Sequence, residues 1–182
     1  MPPPPQTLPA PEGAEPLDFE RVHAQHAAFV WRTLRRMGVR EADLEDVCQE
    51  AFLVVHRRLP EFDPRAPVAA WLFGICMRLA SDHRKRAHVR RETPVAETPD
   101  EARPPEQLES VARTQARARL DRILDALDED KRAVFVLFEI EQWAMADVAQ
   151  AVGCPVQTAY ARLYAARKQV QEAVARLQGG ER

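Results

Sequence analysis

Residues 145–170 hold the densest set of side chains able to recognise another molecule. Val148, Ala149 and Val152 fit a short helix, Gly153 a tight turn, and Cys154-Pro155 a restart of the chain. Val156, Ala159, Leu163, Ala166 and Val170 then recur at helical spacing and predict one buried stripe. A small Ala149 four residues before Gly153 suits two closely approaching helices, and glycine enters a left-handed turn without a Cβ clash. The outer face of the second helix carries Gln157, Thr158, Tyr160, Arg162, Tyr164, Arg167 and Lys168. Such side chains suit phosphates and base edges. At about 100° per residue, Gln157, Ala161, Tyr164, Ala165 and Lys168 lie farthest from the stripe, flanked by Thr158, Tyr160 and Arg162. Base selection is expected from Gln157, Thr158 and Tyr164, and phosphate clamping from Arg162, Arg167 and Lys168. An ordinary helical hairpin with a solvated face has the same spacing.

A second constellation suits single-stranded nucleic acid. Residues 57–91 carry nine Lys/Arg against three acids, a local charge of +6. The run SDHRKRAHVRR contains Arg84, Lys85 and Arg86, and the loop PEFDPRAP contains Phe62 and Arg65. A basic track beside an exposed aromatic lets a base stack while phosphates are neutralised. The bland reading is a solvated helix end whose cations complement the helix dipole. A third group, Glu45, Asp46, Gln49 and Glu50, is expected on the solvent side of a helix at 44–59. The helix dipole accounts for Glu45 and Asp46 in the first turn, and less well for Gln49 and Glu50. A docking surface for a basic partner accounts for all four.

Catalytic and metal chemistry find little support. Glu20-x-x-His23 is half of a di-iron carboxylate pattern without its other half. His23 and His26 lack an evident third ligand. No glycine-rich phosphate loop and no Gly-x-Ser-x-Gly occurs. Cys48, Cys76 and Cys154 are odd in number, form no Cys-x-x-Cys, and read as packed thiols. The expectation is no enzyme activity, no cofactor and no metal.

These groups need helices to hold them. The chain has 182 residues, 46% hydrophobic and 30% charged, with a net charge of −2, which excludes a uniformly basic coat. Residues 1–16 hold seven of the fifteen prolines and two charges, and read as a disordered, partly polyproline tail. Residues 92–109 hold four prolines, six acids and one arginine, and read as an extended acidic linker. The fold expected is all-α: two small helical domains, 17–91 and 109–178, joined by a Pro-rich acidic linker at 92–108, the second domain ending in a helix-turn-helix.

In the first domain, a helix with Phe19, Val22, His26, Phe29, Val30, Thr33, Leu34 and Met37 inward stops at Gly38. Asp43 is the expected N-cap of a second helix, with a stripe of Leu44, Val47, Cys48, Ala51, Phe52, Val55 and Leu59. A third follows Pro67 with Val68, Trp71, Leu72, Ile75 and Leu79 inward. In the second domain a helix at 107–127 turns Leu108, Val111, Leu120, Ile123, Leu124 and Leu127 inward, and residues 128–143 form another. The longest apolar stretch, residues 68–77, is too short to span a bilayer, and no secretory signal is visible. A cytoplasmic, membrane-free protein is expected.

Taken together, the two blocks resemble the extracytoplasmic-function (ECF) sigma factors of bacterial RNA polymerase over about residues 17–178. DLEDVCQEAFLVVHRRLPEFD is similar to the family's core-binding helix of region 2, PVAAWLFGICMRLASDHRKR to its promoter-melting helix, and LDALDEDKRAVFVLFEIEQWAMADVAQAVGCPVQTAYARLYAARKQV to region 4. The resemblance implies a factor that binds core polymerase and promoter DNA, with an anti-sigma factor as a further partner. It implies that Asp46, Gln49 and Glu50 face polymerase. Phe62, Arg65, Arg78, Arg84, Lys85 and Arg86 would then serve the minus-ten element, and the helix from Val156 the minus-thirty-five element. Three positions depart from the family pattern. Arg78 stands where Asn is usual, Tyr160 where a basic residue is usual, and Ala144 where a serine N-cap is common. A helix-turn-helix regulator that binds duplex DNA without polymerase is the alternative.

Overall fold

The computed structural model describes residues 17–92 and 111–179. The described chain is all-α. Helices α1 (Phe19–Arg36), α2 (Leu44–Arg58) and α3 (Val68–Glu92) form a first bundle. Helices α4 (Val111–Leu124), α5 (Glu129–Phe135), α6 (Met145–Ala151) and α7 (Val156–Gly179) follow, with α5 continuing as a π-turn over Val136–Ile140. The expected tail at 1–16, the linker from residue 93, Leu108 and residues 107–110 of the expected helix lie outside the described residues.

Asp18 starts α1 by accepting the Arg21 amide at 2.6 Å. Gly38 ends the turn after α1 at φ +93°. A methyl group there would lie 2.5 Å from the Arg132 guanidinium, whose side chain would have to shift, but it is the backbone conformation that demands glycine. The expected inward residues of α1 and α2 are largely confirmed: Val22, Val30, Leu34, Met37, Leu44, Val47, Ala51, Phe52 and Val55 are buried.

Asp43 precedes α2 as expected, but it does not cap it. A 3₁₀ turn over Glu41–Asp43 leads into the helix, and Asp43 has helical dihedrals that carry its carboxylate away from the amides. That carboxylate instead meets Arg40 Nε at 2.9 Å and His83 Nε2 at 3.0 Å. Two other boundaries also differ. The expected helix at 107–127 ends at Leu124, although Leu127 stays buried in the following turn. The expected helix at 128–143 stops at Ile140, because Gln142 takes φ +59° and turns Trp143 out of the helix. The Trp143 amide then donates to the Leu137 carbonyl at 3.0 Å.

The two halves pack on each other, because α3 is apolar on two sides. Leu72, Ile75 and Leu79 lie on the expected stripe, while Phe73, Cys76 and Ala80 are also fully buried. Trp143, 5% exposed, stacks on Phe29 from α1 at 6.1 Å and meets Phe73 from α3 edge-on at 6.2 Å. One continuous core therefore runs from Val22 and Leu72 through Trp143 to Met145, Val148 and Leu163. A smaller cluster of Leu124, Leu127, Val136 and Ala166 continues the buried stripe farther along α7. Polar contacts rim the junction: Arg36 pairs with Glu141, Arg35 with Asp121 at 3.0 Å, and Arg84 with Glu129 at 2.8 Å.

Candidate nucleic-acid interface

Helix α7 is held from one side. Ala159, Leu163, Ala166 and Ala173 are buried, and α5 and α6 pack against this stripe. Gly153 makes the turn from α6 at φ +68°, with open space where a Cβ would sit, so it is needed for its backbone conformation alone. The buried stripe begins at Ala159, and Val156, expected within it, is 44% exposed. Val156 is the first residue of α7, one turn ahead of the part that α5 and α6 cover.

Val156 instead opens an outward row. Residues four apart share a helix face, and Val156, Tyr160 and Tyr164 are exposed at 44%, 42% and 64%, with Lys168 exposed beyond them. Gln157, Thr158 and Ala161 are exposed beside the row. The expected recognition residues are thus brought onto one surface, with Val156 added to them. A helix-opening residue directly after Cys154-Pro155 was the signal available in the sequence.

The two arginines of this surface are already engaged. Arg162 reaches back to Asp130 at 2.6 Å. Arg167 clasps Glu139 through Nε at 2.7 Å and the terminal nitrogen at 2.6 Å, with its guanidinium 5.9 Å from the Phe138 and Tyr164 ring centroids. Exposed pairs of this kind contribute about 0–1 kcal/mol, so a phosphate can replace the carboxylate at little cost.

The second expected constellation separates into two places. Phe62 was expected as an exposed aromatic abutting the basic run; it is half-buried and packs on Trp71 at 4.8 Å. Because α3 is one unbroken helix, the thirteen residues from Trp71 to Arg84 set that packing about 20 Å from the basic run. Arg65 stays in the Phe62 loop and folds back on Asp63, its Nε and terminal nitrogen 3.0 Å from the two carboxylate oxygens. That hydrogen bonding holds the Asp63 carboxyl below its usual range. Arg78 is exposed midway along α3, its Nε donating to the Gly74 carbonyl at 3.1 Å.

Within the basic run, the three cations differ. Lys85 is exposed, with Asp82 at 3.8 Å. Arg86 lies 3.8 Å from Glu50 and so links the run to the outer face of α2. Arg84 faces the junction between the halves, donating to the Met37 carbonyl at 2.7 Å as well as pairing with Glu129. Its commitment there was not legible in the run of charges.

On α2, Asp46 and Gln49 are exposed as expected and Glu50 is half-buried. They sit opposite the buried Leu44, Val47, Ala51 and Val55. Cys76 is fully buried, and desolvation pushes its thiol far above the ordinary range; burial also raises Cys48. Neither is a poised thiolate. Among the described residues, no group of three or more His, Cys, Asp or Glu is arranged to hold a metal ion. No helix among them is long and apolar enough to cross a membrane.

This geometry agrees with known proteins. The family model of Sigma-70 region 2 matches residues 22–90, and that of Sigma-70 region 4 matches residues 117–170. The chain is 30% identical over 160 residues to the RNA polymerase sigma factor CnrH of Cupriavidus metallidurans, covering 82% of each chain. It is also 30% identical over 161 residues to the ECF RNA polymerase sigma factor SigL of Mycobacterium tuberculosis, covering 83% of this chain and 85% of that protein. The solved structure of CnrH in complex with the cytosolic domain of CnrY superposes with a TM-score of 0.65 at 25% identity, over 86% of this chain and 87% of that one. The sigma factor RpoE of Bartonella quintana shares the fold, with a TM-score of 0.65 at 22% identity over 87% of this chain and 97% of that one. A stand-alone helix-turn-helix regulator would not carry both matched regions. The chain belongs to the ECF group of RNA polymerase sigma factors, which direct promoter recognition and the initiation of transcription.

Proposed function

We propose that three surfaces divide the work of initiation, and that the protein acts by binding alone, with no catalytic step of its own. The outer face of α2, with Asp46, Gln49 and Glu50, docks on core polymerase. The loop and helix carrying Phe62, Arg65, Arg78, Arg84, Lys85 and Arg86 serve the minus-ten element. The exposed row of α7 enters the minus-thirty-five element, with Gln157, Thr158 and Tyr164 reading bases and Arg162, Arg167 and Lys168 on phosphates. Residues 17–91 and 109–178 are the two working domains, and 92–108 the connection between them. The observation that carries the reading is the exposed row Val156–Tyr160–Tyr164–Lys168, set on a helix whose other side is seated on α5 and α6.

Half-buried Phe62 changes its expected role. It supports Trp71 as a two-ring platform, and base stacking on such a platform is worth about 1–3 kcal/mol. An anti-sigma factor is a further proposed partner, on the likeness to CnrH in its complex with CnrY. The cytoplasm, where core polymerase meets DNA, is the proposed location.

Run-off transcription with purified core polymerase and a promoter library tests the reading. Transcripts from a defined promoter class are expected with the intact chain. Reversing charge with Asp46→Lys and Glu50→Lys should abolish them and co-purification with core, while helical content is unchanged. Normal holoenzyme assembly by that variant would remove α2 from the polymerase face.

A further inference from the structure

An apolar concavity lies along α1 and α2 and has no occupant among the described residues. It measures about 610 Å³ and is lined by aromatic rings, Phe19, His23, Trp31, Phe52 and His56, with Leu53 on its edge. Phe19, His23, Phe52 and His56 pack on one another with centroids 4.4 to 6.3 Å apart, so the floor is a built aromatic surface. Trp31 and Leu53 are nevertheless 37% and 57% exposed. Exposed rings in a shallow apolar groove are the chemistry that receives a polyproline II strand. Such a strand presents flat proline rings and has little conformational entropy left to lose.

We propose that residues 1–16 of this same chain lie in the groove as a polyproline II strand. Three observations favour that occupant. The segment MPPPPQTLPAPEGAEP holds seven prolines, four of them consecutive at 2–5. It joins the described chain at Leu17, two residues before Phe19, which lines the groove. Its charged residues, Glu12 and Glu15, are opposite in sign to the last turn of α2, which carries His56, Arg57 and Arg58 beside the groove-lining Phe52 and Leu53.

The reach is sufficient. From Phe19 to Trp31 the groove follows twelve residues of α1, about 18 Å. The eleven residue-to-residue steps from Pro16 back to Pro5 span about 34 Å as polyproline II. The covalent link supplies an effective concentration in the millimolar range, so weak ring contacts suffice to keep the site filled. Gln49 lines the groove and also belongs to the proposed polymerase face, so segment and polymerase compete there. That competition, unlike the docking itself, rests on the polymerase reading of α2.

The test uses the full chain with 5-fluorotryptophan at Trp31, Trp71 and Trp143, the Trp31 fluorine resonance being assigned with Trp31→Phe. Replacing the seven prolines by serine leaves the groove untouched. The Trp31 resonance should move by more than its linewidth, while those of Trp71 and Trp143 stay. Adding a synthetic peptide of residues 1–16 to the replaced chain should restore the original position. An identical Trp31 resonance in both chains overturns the proposal. So does a Trp31 shift that follows protein concentration, which would place a second copy in the groove. In a separate titration, the replaced chain should bind core polymerase about five- to tenfold more tightly, the factor expected when a largely occupied site is freed. Equal core affinity would overturn the competition and leave the fluorine result to decide the docking.

Discussion

At the residue scale, the side chains of the proposed recognition surface differ in what they already hold. Gln157 is exposed on the outer side of α7. Gln157→Ala should cost about 1–3 kcal/mol on the cognate minus-thirty-five element and relax preference at one base pair. Arg167→Ala should weaken all promoters about equally and lower the salt slope by about one unit. Both are read from holoenzyme binding at several salt concentrations. If Arg167→Ala changes the preferred sequence while Gln157→Ala changes nothing, α7 sits at another rotation in the groove. Gly38 is the structural counterpart. With φ at +93° and Arg132 against it, Gly38→Ala should lose about 1–3 kcal/mol in denaturant unfolding, the usual range for a strained left-handed residue. An unchanged midpoint would mean that the turn relaxes freely.

At the scale of elements, helix starts decide local stability, and two adjacent ones contrast. Asp128 caps α5 by accepting the Lys131 amide at 2.9 Å, and Asp128→Ala should cost about 0.5–2 kcal/mol. Hydrogen bonds from Lys131 hold the Asp128 carboxyl below its usual value of 3.8. A depressed folded value means that the contribution is complete at neutral pH and is lost only as acid passes below that range. The Asp128→Ala deficit should therefore be constant from pH 5 to pH 8 and shrink below about pH 4. Ala144 has the extended backbone of a cap, φ −62° and ψ 142°, but no side chain to accept an amide. Ala144→Ser should add about 1 kcal/mol, measured as a raised thermal midpoint. The alanine was legible in the sequence as a missing cap. Asp43 looked like a cap and is none, because a cap depends on backbone dihedrals that a residue type does not specify.

At the scale of the whole molecule, Trp143 and the rim of ion pairs make the two halves one packed body. A core shared across the junction predicts a single cooperative unfolding transition. Trp143→Ala removes the ring that stacks on Phe29 and meets Phe73 edge-on, and it should split that transition in calorimetry, at a cost of about 3–5 kcal/mol. A second consequence concerns Arg84. Glu129 and the Met37 carbonyl hold it at the junction, so the proposed minus-ten contact is expected to open the junction around it. In a chain whose sole tryptophan is Trp143, core polymerase and promoter DNA should shift its emission to the red. An unshifted emission in an active open complex would keep the junction closed and leave Arg84 out of strand binding.

The sequence by itself determined the all-α class, the three helices of the first half, the α6–Gly153–α7 turn and the outward placement of Gln157, Tyr160, Tyr164 and Lys168. Each follows from helical periodicity, proline or glycine, which act over a few residues and need no distant partner. Only the tertiary structure decided that Phe73, Cys76 and Ala80 form a second buried side of α3, that Trp143 plugs the junction, and that Phe62 leans on Trp71 away from the basic run. It also decided that Arg84 is held by Glu129 and the Met37 carbonyl. These depend on which faces meet, and a face apolar on two sides, or a cation beside a carboxylate far along the chain, leaves no periodic trace in the residues around it.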